Sequence, residues 1–448
     1  MLRFGPSAKP GTKALSPNRS TVISVLDVGT SKVCCVIARL HPKPEGIEFA
    51  GRTHVIEVIG FGHQRSRGIK AGVVVDLDEA EQAIRVAVDA AERRAGMTVE
   101  SLIVNVSGGR LLSDAFSASV SLAGQEVEEN DIRRVLDAGR NHSAKDEAAV
   151  IHSLPIGYAI DGNSGIKDPR GMIGQRLAVD MHVVTANDAS LRNLEVAINR
   201  CHLAVESFVV SPFASGLACL AGDEAELGVT CIDLGGGSTT ASVFMEGKFV
   251  HCDGIALGGQ HVTMDLARGL STSLRHAELI KVKHGSVLPD TVSDFDSVPV
   301  NQIGDESGVG ADVPPSVLAR IIRPRVEETL ELVRDRLNAS GFAALVGRRV
   351  VLTGGGSQLT GMADLARSIL GKNVRLGRPL GVTGLPAEAR SAAFSAVVGL
   401  MIYPQTSDSR DDIGWSPSRS RSRNNAGRAM TGTGGYFGRM GRWIAENF

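Results

Sequence analysis

The sequence predicts an α/β protein built around a duplicated unit, and three observations lead to that prediction. Strand-like apolar runs alternate with helical apolar spacing along most of the 448 residues. A strand–glycine turn–strand pattern at Val22–Ala38 returns at Val229–Phe244. Hydrophobic residues make up 43% of the chain and charged residues 22%. That balance excludes a disordered chain, a collagen-like fibre and a coiled coil.

The first unit is predicted from spacing. Three strands flank a glycine turn, a helix follows with acidic residues in its first turn, and a further strand comes next. In order, these are Val22–Asp27, Val33–Ala38, Val55–Phe61, the helix Asp76–Ala95 and the strand Leu102–Val106. A later strand, Val179–Thr185, precedes a helix from about Asp188 to Arg200.

The second unit repeats the opening and ends in a strand–turn–helix. Its elements are the strands Val229–Asp233 and Thr239–Phe244, a polar loop at Asp290–Asp312, the helix Ala319–Leu337, the strand Arg349–Leu352, a helix through Leu370 and a buried helix within Ala392–Tyr403. After Tyr403 the chain becomes rich in Ser, Arg, Gly and Asn, which is typical of a linker.

Charge and cysteine usage restrict the class of protein. Lys and Arg total 48 against 49 Asp and Glu, a net charge of −1, so no overall charge steers the chain toward nucleic acid. The six cysteines form no C-x-x-C pair, and most of them lie in apolar runs and are expected to be small buried hydrophobic residues of a reducing compartment. No signal peptide and no apolar stretch long enough to span a membrane is visible. We therefore expect a cytosolic protein, unless a segment that binds more weakly than a transmembrane helix attaches it to a membrane.

Three glycine turns each follow an apolar strand: Asp27-Val-Gly29-Thr30-Ser31, Asp233-Leu-Gly235-Gly236-Gly237-Ser238 and Thr353-Gly354-Gly355-Gly356-Ser357. Glycine lets backbone N–H groups approach phosphate oxygens closely. A carboxylate facing phosphates requires a cation between them, and Mg²⁺ keeps its waters in such sites. Two facing aspartate turns would clamp a nucleoside triphosphate, and the third turn suits the nucleoside. The alternative is that each is only a tight turn with a capping acid, and neither a P-loop nor a well-placed G-x-G-x-x-G is present.

The ordered set Leu26–Thr30, Ile232–Ser238 and Leu352–Ser357 resembles the actin/Hsp70/sugar-kinase ATPase superfamily. Within it, the chain resembles the FtsA family of bacterial cell-division proteins. The motifs that carry this resemblance are Arg67–Gly72, Tyr158–Asp161, Gly165–Pro169 and Ala277–Gly285. The similarity covers roughly residues 20–404 and the C-terminal end.

The resemblance implies an actin-like two-lobed fold of duplicated RNase H-like units. It adds an inserted 1C (SHS2-like) subdomain and a C-terminal amphipathic helix on a disordered linker. The implied boundaries are a flexible N-terminus at 1–20, lobe I at 21–67, 178–212 and 377–404, the 1C subdomain at 68–177, lobe II at 213–376, the linker at 405–435 and the amphipathic helix at 436–448.

The resemblance also implies that ATP and Mg²⁺ bind between the lobes. The implied contacts are Asp27, Gly29, Thr30 and Ser31 in the first phosphate loop, Asp233, Gly235, Gly236, Gly237 and Ser238 in the second, Gly354, Gly355, Gly356 and Ser357 at the adenosine, and Glu278 and Lys281 at the ribose and base. Asp27 and Asp233 would hold Mg²⁺ through water. Lys32 either contacts phosphate or points to solvent, and Glu278 with Lys281 could instead form a solvated helix face.

Ile321–Glu328 resembles the FtsA helix that receives the acidic C-terminal tail of the tubulin-like protein FtsZ. Arg320, Arg323, Arg325 and Glu328 are the residues implied, and arginines suit such a peptide. The alternative is an ordinary solvated helix face. Further implied partners are other copies of the chain in a filament, and later division proteins at the 1C subdomain.

The last segment has the pattern of an interfacial helix. Phe437, Met440, Ile444 and Phe448 share one face, and Trp443 lies at its border. Twelve residues reach ~18 Å, too short for a ~30 Å hydrocarbon core. Such a segment can lie in the interface of an anionic membrane, although two glycines weaken the helix. Docking onto the protein's own body is the alternative.

The resemblance implies an ATP-binding protein that polymerises on the cytoplasmic face of the bacterial inner membrane at the septum, tethers FtsZ and helps to recruit later division proteins. Two alternatives are a small-molecule kinase or exopolyphosphatase, and an Hsp70-like chaperone. The enzymes place an acid where this chain has Ser211, and a chaperone needs a large domain after residue 404. Any ATPase activity is therefore expected to be slow.

Overall fold

The structure, a computed structural model, describes residues 15–44, 51–140, 148–288, 297–304, 310–406, 412, 414 and 415. The strands are β1 (Thr21–Val28), β2 (Lys32–Pro42), β3 (His54–Arg65), β4 (Ile69–Lys70), β5 (Val73–Val74), β6 (Ser101–Val106), β7 (Leu112–Ser121), β8 (Ala148–Ile160), β9 (Asn163–Ile166), β10 (Arg176–Asn187), β11 (Ala204–Val210), β12 (Val229–Leu234), β13 (Thr239–Met245), β14 (Lys248–Ile255), β15 (Val298–Val300), β16 (Ala311–Val313), β17 (Arg349–Thr353), β18 (Asn373–Leu376) and β19 (Val382–Thr383). The helices are α1 (Leu77–Ala95), α2 (Glu129–Arg140), α3 (Asp188–Asn199), α4 (Ser211–Cys219), α5 (Gly222–Leu227), α6 (Gly259–Gly269), α7 (Leu274–His284), α8 (Pro315–Ala339), α9 (Phe342–Leu345), α10 (Met362–Leu370) and α11 (Ser395–Ile402).

Two sheets share one strand order, which confirms the predicted duplication. The lobe I sheet runs β11-β6-β1-β2-β3, with β19 at its edge, and the lobe II sheet runs β14-β13-β12-β17-β18. In both, the first strand pairs antiparallel with the second and the second antiparallel with the third. The first strand also pairs parallel with the fourth, and the fourth parallel with the fifth. Each glycine turn with an aspartate therefore joins the first two strands of its sheet.

Helix α1 shows how the local sequence fixes the packing in lobe I. The Asp76 side chain caps its start by accepting from two backbone N–H groups, and Gly96 ends it in the left-handed region. A Cβ at Gly62 on β3 would lie 2.1 Å from the Ala87 carbonyl oxygen. The missing side chain therefore lets the helix lie directly on the strand.

Helices α4 and α11 pack against each other between the two sheets. Helix α4 contacts β12 and β13, and α11 contacts β1. A Cβ at Gly399 in α11 would lie 1.7 Å from the Ala214 carbonyl oxygen in α4, so only glycine permits this approach. The predicted buried helix within Ala392–Tyr403 is thus present, and it begins with a 3₁₀ turn at Ala392–Phe394.

The 1C subdomain is smaller than predicted. The first strand of its sheet, β7-β10-β8-β9, begins at residue 112 and the last ends at residue 187, and α2 packs on this sheet. Strand β6 pairs with β1, and α1 packs on β2 and β3, so both belong to lobe I. The predicted start at residue 68 is therefore too early and the predicted end at 177 cuts β10, because local patterns do not show which sheet a strand joins.

Two segments predicted to be irregular contain ordered structure. At the predicted loop Asp290–Asp312, residues 298–300 pair with 311–313 as an antiparallel ladder that ends one residue past the loop. Within the predicted linker, Gln405 and Thr406 are buried, and Asp412, Gly414 and Trp415 contact the body. The predicted helix at 436–448 lies outside the described residues. So do its predicted membrane contacts, which are Phe437, Met440, Trp443, Ile444 and Phe448. Among the residues described, no helix combines the length and apolar character needed to cross a membrane.

Candidate nucleotide site

The two aspartate turns have the same backbone geometry. Gly29 N donates to the Lys32 carbonyl at 3.0 Å, and Gly235 N donates to the Ser238 carbonyl at 3.0 Å. The aspartate of each turn lies at the end of a parallel-paired strand, opposite Cys34 in one sheet and Thr240 in the other. The duplicated sheets therefore produce two matching hairpins.

The two hairpins touch. A Cβ at Gly237 would lie 2.4 Å from Thr30 Oγ1, and a Cβ at Gly236 would lie 2.9 Å from Ser31 Oγ. Gln260 Nε2 on α6 also donates to the Thr30 carbonyl at 3.2 Å. The structure therefore brings together Thr30, Ser31, Gly236 and Gly237 as predicted, and glycine is required for this contact. A phosphate group bound between the two hairpins would have to move them apart.

Both aspartates lie at the junction of the lobes. Asp27 is 5% exposed, and burial raises its pKa to about 6, with Lys32 lowering and Asp233 raising it. Burial also raises the pKa of Asp233, whose Oδ2 accepts from Ser215 Oγ at 2.5 Å. Two carboxylates that burial penalises when ionised suit a shared hydrated cation. The described residues hold no cluster of three or more metal-ligating side chains.

Lys32 points into the junction. Its Nζ donates to the Ala393 carbonyl at 2.5 Å and lies 4.7 Å from the centre of the Phe394 ring. Its positive charge lowers the pKa of both Asp27 and Asp233. The alternative in which Lys32 points to solvent is therefore wrong for this conformation, and contact with phosphate stays a prediction.

The third turn packs against the Asp233 carboxylate. Gly354 has φ +83°, and a Cβ there would lie 2.2 Å from Asp233 Oδ1. Its N–H donates to the Ala392 carbonyl at 3.2 Å, and Ser357 Oγ donates back to the Gly354 carbonyl at 2.7 Å. Gly355 and Gly356 begin a 3₁₀ turn, and α10 starts later, at Met362, than the predicted helix opening. The third turn is thus brought to the same junction.

The Glu278–Lys281 pair lies beside the second hairpin. Lys281 Nζ donates to the Gly259 carbonyl at 3.0 Å, to Thr263 Oγ1 at 2.8 Å and to Glu278 Oε2 at 2.7 Å. Gly259 N in turn donates to the Gly235 carbonyl at 2.9 Å. The Lys281 side chain is only 14% exposed, so the solvated-face alternative is wrong for it, while Glu278 is half exposed.

Sequence reasoning missed Asn105 and Ser215. Asn105 Oδ1 accepts from Val28 N at 2.6 Å, and its Nδ2 donates to Ser211 Oγ at 2.9 Å. Ser211 begins α4, and Ser215 one turn later bonds Asp233. Helix α4 is therefore connected to both hairpins, to the first through Asn105. The available signal was a single polar residue inside the predicted apolar strand Leu102–Val106.

The arginines of α8 differ in whether their side chains already form ion pairs. Arg325 Nε bonds Asp265 Oδ2 on α6 at 2.7 Å, and Arg325 also pairs with Glu328. Arg323 Nε bonds Glu327 at 2.7 Å. Arg320 is exposed and has no ion pair or hydrogen bond among the described residues. Of the four predicted peptide contacts, Arg320 is thus the unengaged cation.

Family comparisons agree with this architecture. The family description "Cell division protein FtsA" matches residues 230–399, and "SHS2 domain inserted in FTSA" matches residues 108–185. The chain is 54% identical to "Cell division protein FtsA" of Rhizobium meliloti over 98% of both chains. It is 30% identical to that of Escherichia coli K12 over 94% of this chain and 97% of the relative. A solved structure, "PilM-PilN type IV pilus biogenesis complex", shares the fold with TM-score 0.59 and 17% identity, covering 86% of this chain and 98% of that one.

Proposed function

The chain belongs to the FtsA family of cell-division proteins, and from that premise we propose that it is an ATP-binding protein that holds FtsZ at the membrane. The observation that supports nucleotide binding most strongly is the convergence of three glycine turns on Asp27 and Asp233. Backbone N–H groups of the two hairpins would bind the phosphates, and the third turn would line the adenosine. Mg²⁺ would supply the positive charge between carboxylates and phosphates.

Nucleotide would act mainly as a conformational switch. The hairpins belong to different lobes and touch through Thr30, Ser31, Gly236 and Gly237. A ligand bridging both hairpins favours the lobe arrangement that it fits best. Helix α4 would transmit the change, because it is joined to the first hairpin through Asn105 and bonds Asp233 directly.

Hydrolysis is expected to be slow, with turnover well below about one per second, at the low end of enzyme rates. In-line attack needs a group that orients water, and the expected acid position is Ser211. That side chain is buried and bonded to Asn105. Ser211→Glu should raise single-turnover phosphate release toward the ~10²-fold that acid–base assistance can give.

Ser211→Gln is the matched control, because it adds similar bulk without an acid. Equal rates in the two variants would contradict the missing-acid explanation. Turnover of tens per second in the unmodified chain would favour the alternative of a superfamily enzyme.

The FtsZ tail is proposed to bind α8. Arg320→Glu should weaken binding of a labelled FtsZ C-terminal peptide about tenfold, because a carboxylate would face an acidic peptide. Arg325 is a poorer choice, since its reversal would place a carboxylate beside Asp265. Fluorescence anisotropy measures the affinity, and Arg334→Glu on the same helix is the control. Equal affinity in both variants would mean that Arg320 lies on an ordinary solvated face.

Membrane attachment is assigned to residues 436–448 as an interfacial helix on the cytoplasmic face of the inner membrane, at the septum. One short helix binds weakly, so we propose that the protein polymerises into filaments. Tails joined in a filament gain effective concentration, and avidity can exceed single-site affinity by ~10²–10⁴. The 1C subdomain is the proposed contact for later division proteins.

A further inference from the structure

A fully buried histidine outside the nucleotide site receives a carboxylate from the far end of the chain. His152 on β8 accepts a hydrogen bond at Nε2 from Val210 N at 3.0 Å. That nitrogen therefore carries no proton, and the neutral ring holds its proton on Nδ1. His152 Nδ1 donates to Asp412 Oδ2 at 2.5 Å. Asp412 lies in the segment that composition predicts to be a linker.

Three further donors converge on the Asp412 carboxylate. Ser153 N donates to Oδ1 at 2.9 Å and Tyr403 Oη donates to Oδ2 at 2.9 Å. Gly414 N also donates to Oδ1 at 2.9 Å. Buried donors are rarely left without acceptors, because an unmet buried polar group is costly. The body therefore presents three converging donors, His152 Nδ1, Ser153 N and Tyr403 Oη, and the Asp412 carboxylate accepts from all three.

Two residues extend this contact along β8. Trp415 N donates to the Ile151 carbonyl at 3.0 Å, and its ring meets Phe208 of β11 edge-on with centroids 4.7 Å apart. A Cβ at Gly414 would lie 2.1 Å from the same Ile151 oxygen. The Asp-x-Gly-Trp spacing thus places the Asp412 carboxylate, the Gly414 backbone without a side chain and the Trp415 ring on the surface formed by β8 and β11.

We propose that Asp412, Gly414 and Trp415 form a strap that docks on β8 and β11 and fixes the point where the C-terminal segment leaves the body. That point lies at the junction of the 1C subdomain and lobe I, since β8 belongs to the first and β11 to the second. It is also next to α4, because Val210 precedes Ser211, and the His152 and Phe213 rings meet edge-on at 5.5 Å.

The strap shortens the linker. Counted from residue 405, the predicted linker has 31 residues; counted from residue 416, it has 20. For a flexible chain these lengths reach ~31 Å and ~25 Å. Any ligand that the C-terminal segment binds would therefore be held closer to the 1C subdomain. This inference does not depend on a membrane being that ligand, so the two proposals can fail separately.

Tryptophan fluorescence tests the strap, because Trp415 and Trp443 are the chain's two tryptophans. In full-length Trp443→Phe protein, acrylamide should quench Trp415 at least about threefold less than it quenches a synthetic peptide of residues 408–420. Adding Asp412→Ala should raise quenching to the level of the peptide and speed amide exchange at Ser153 at least about tenfold. Glu331→Ala, which removes an exposed carboxylate on α8, is the matched control and should change neither readout.

Peptide-like quenching of Trp415 in the Trp443→Phe protein would overturn the proposal. So would equal quenching and exchange in the Asp412→Ala and Glu331→Ala proteins. The first measurement changes nothing near the strap, so it decides the proposal by itself if circular dichroism shows that Asp412→Ala does not fold.

Discussion

Asp233→Asn should weaken ATP binding in the presence of Mg²⁺ at least about tenfold, as measured by isothermal titration calorimetry. The amide keeps the shape of the side chain and can still accept from Ser215. It removes the negative charge that would hold the hydrated cation. Asp27→Asn should act in the same direction, because it removes the other carboxylate proposed to hold the hydrated cation.

The effect should depend on the metal. With Mg²⁺ removed by a chelator, Asp233→Asn should bind ATP at least as well as the unmodified chain, because a carboxylate facing phosphates is then only repulsive. Asp335→Asn, an exposed aspartate on α8, is the control. Unchanged affinity for ATP and Mg²⁺ in both site variants would mean that the nucleotide binds elsewhere.

Deleting residues 437–448 should abolish sedimentation with vesicles that contain anionic lipid. These residues carry the predicted apolar face and two arginines, and full burial of one large apolar side chain contributes ~1.5–3 kcal/mol. Trp443→Glu should reduce the bound fraction strongly, and an unrelated amphipathic helix fused at residue 436 should restore it. Undiminished sedimentation of the truncated chain would refute this attachment.

The aspartate turns could be predicted because their chemistry is local. An acid, a glycine and a preceding apolar strand lie within a few consecutive residues, and the duplicated sheets then bring Asp27 and Asp233 to one junction. The contacts of Asn105 could not be predicted, since they depend on β6 lying between β1 and β11. One polar residue in a strand does not reveal its partners.

The predicted boundaries of the 1C subdomain and of the linker differ from the structure for a related reason. The α1 and β6 patterns identify a helix and a strand, but only the pairing of β6 with β1 and the packing of α1 on β2 and β3 assign them to lobe I. Asp412 lies within a polar segment, and its histidine partner is 260 residues away in sequence. Composition averages over such a segment and misses a few residues that dock specifically.

Flotation of FtsZ with anionic vesicles in the presence of ATP and Mg²⁺ shows directly whether the chain links FtsZ to a membrane. FtsZ should float with the vesicles when the intact chain is added, and remain at the bottom without it. FtsZ should not float with the vesicles when either the chain lacking residues 437–448 or the Arg320→Glu chain is added, for different reasons. The truncated chain should still bind the FtsZ peptide, and the Arg320→Glu chain should itself float. If FtsZ floats equally with the truncated chain, or never floats with the intact one, the protein does not link FtsZ to the membrane.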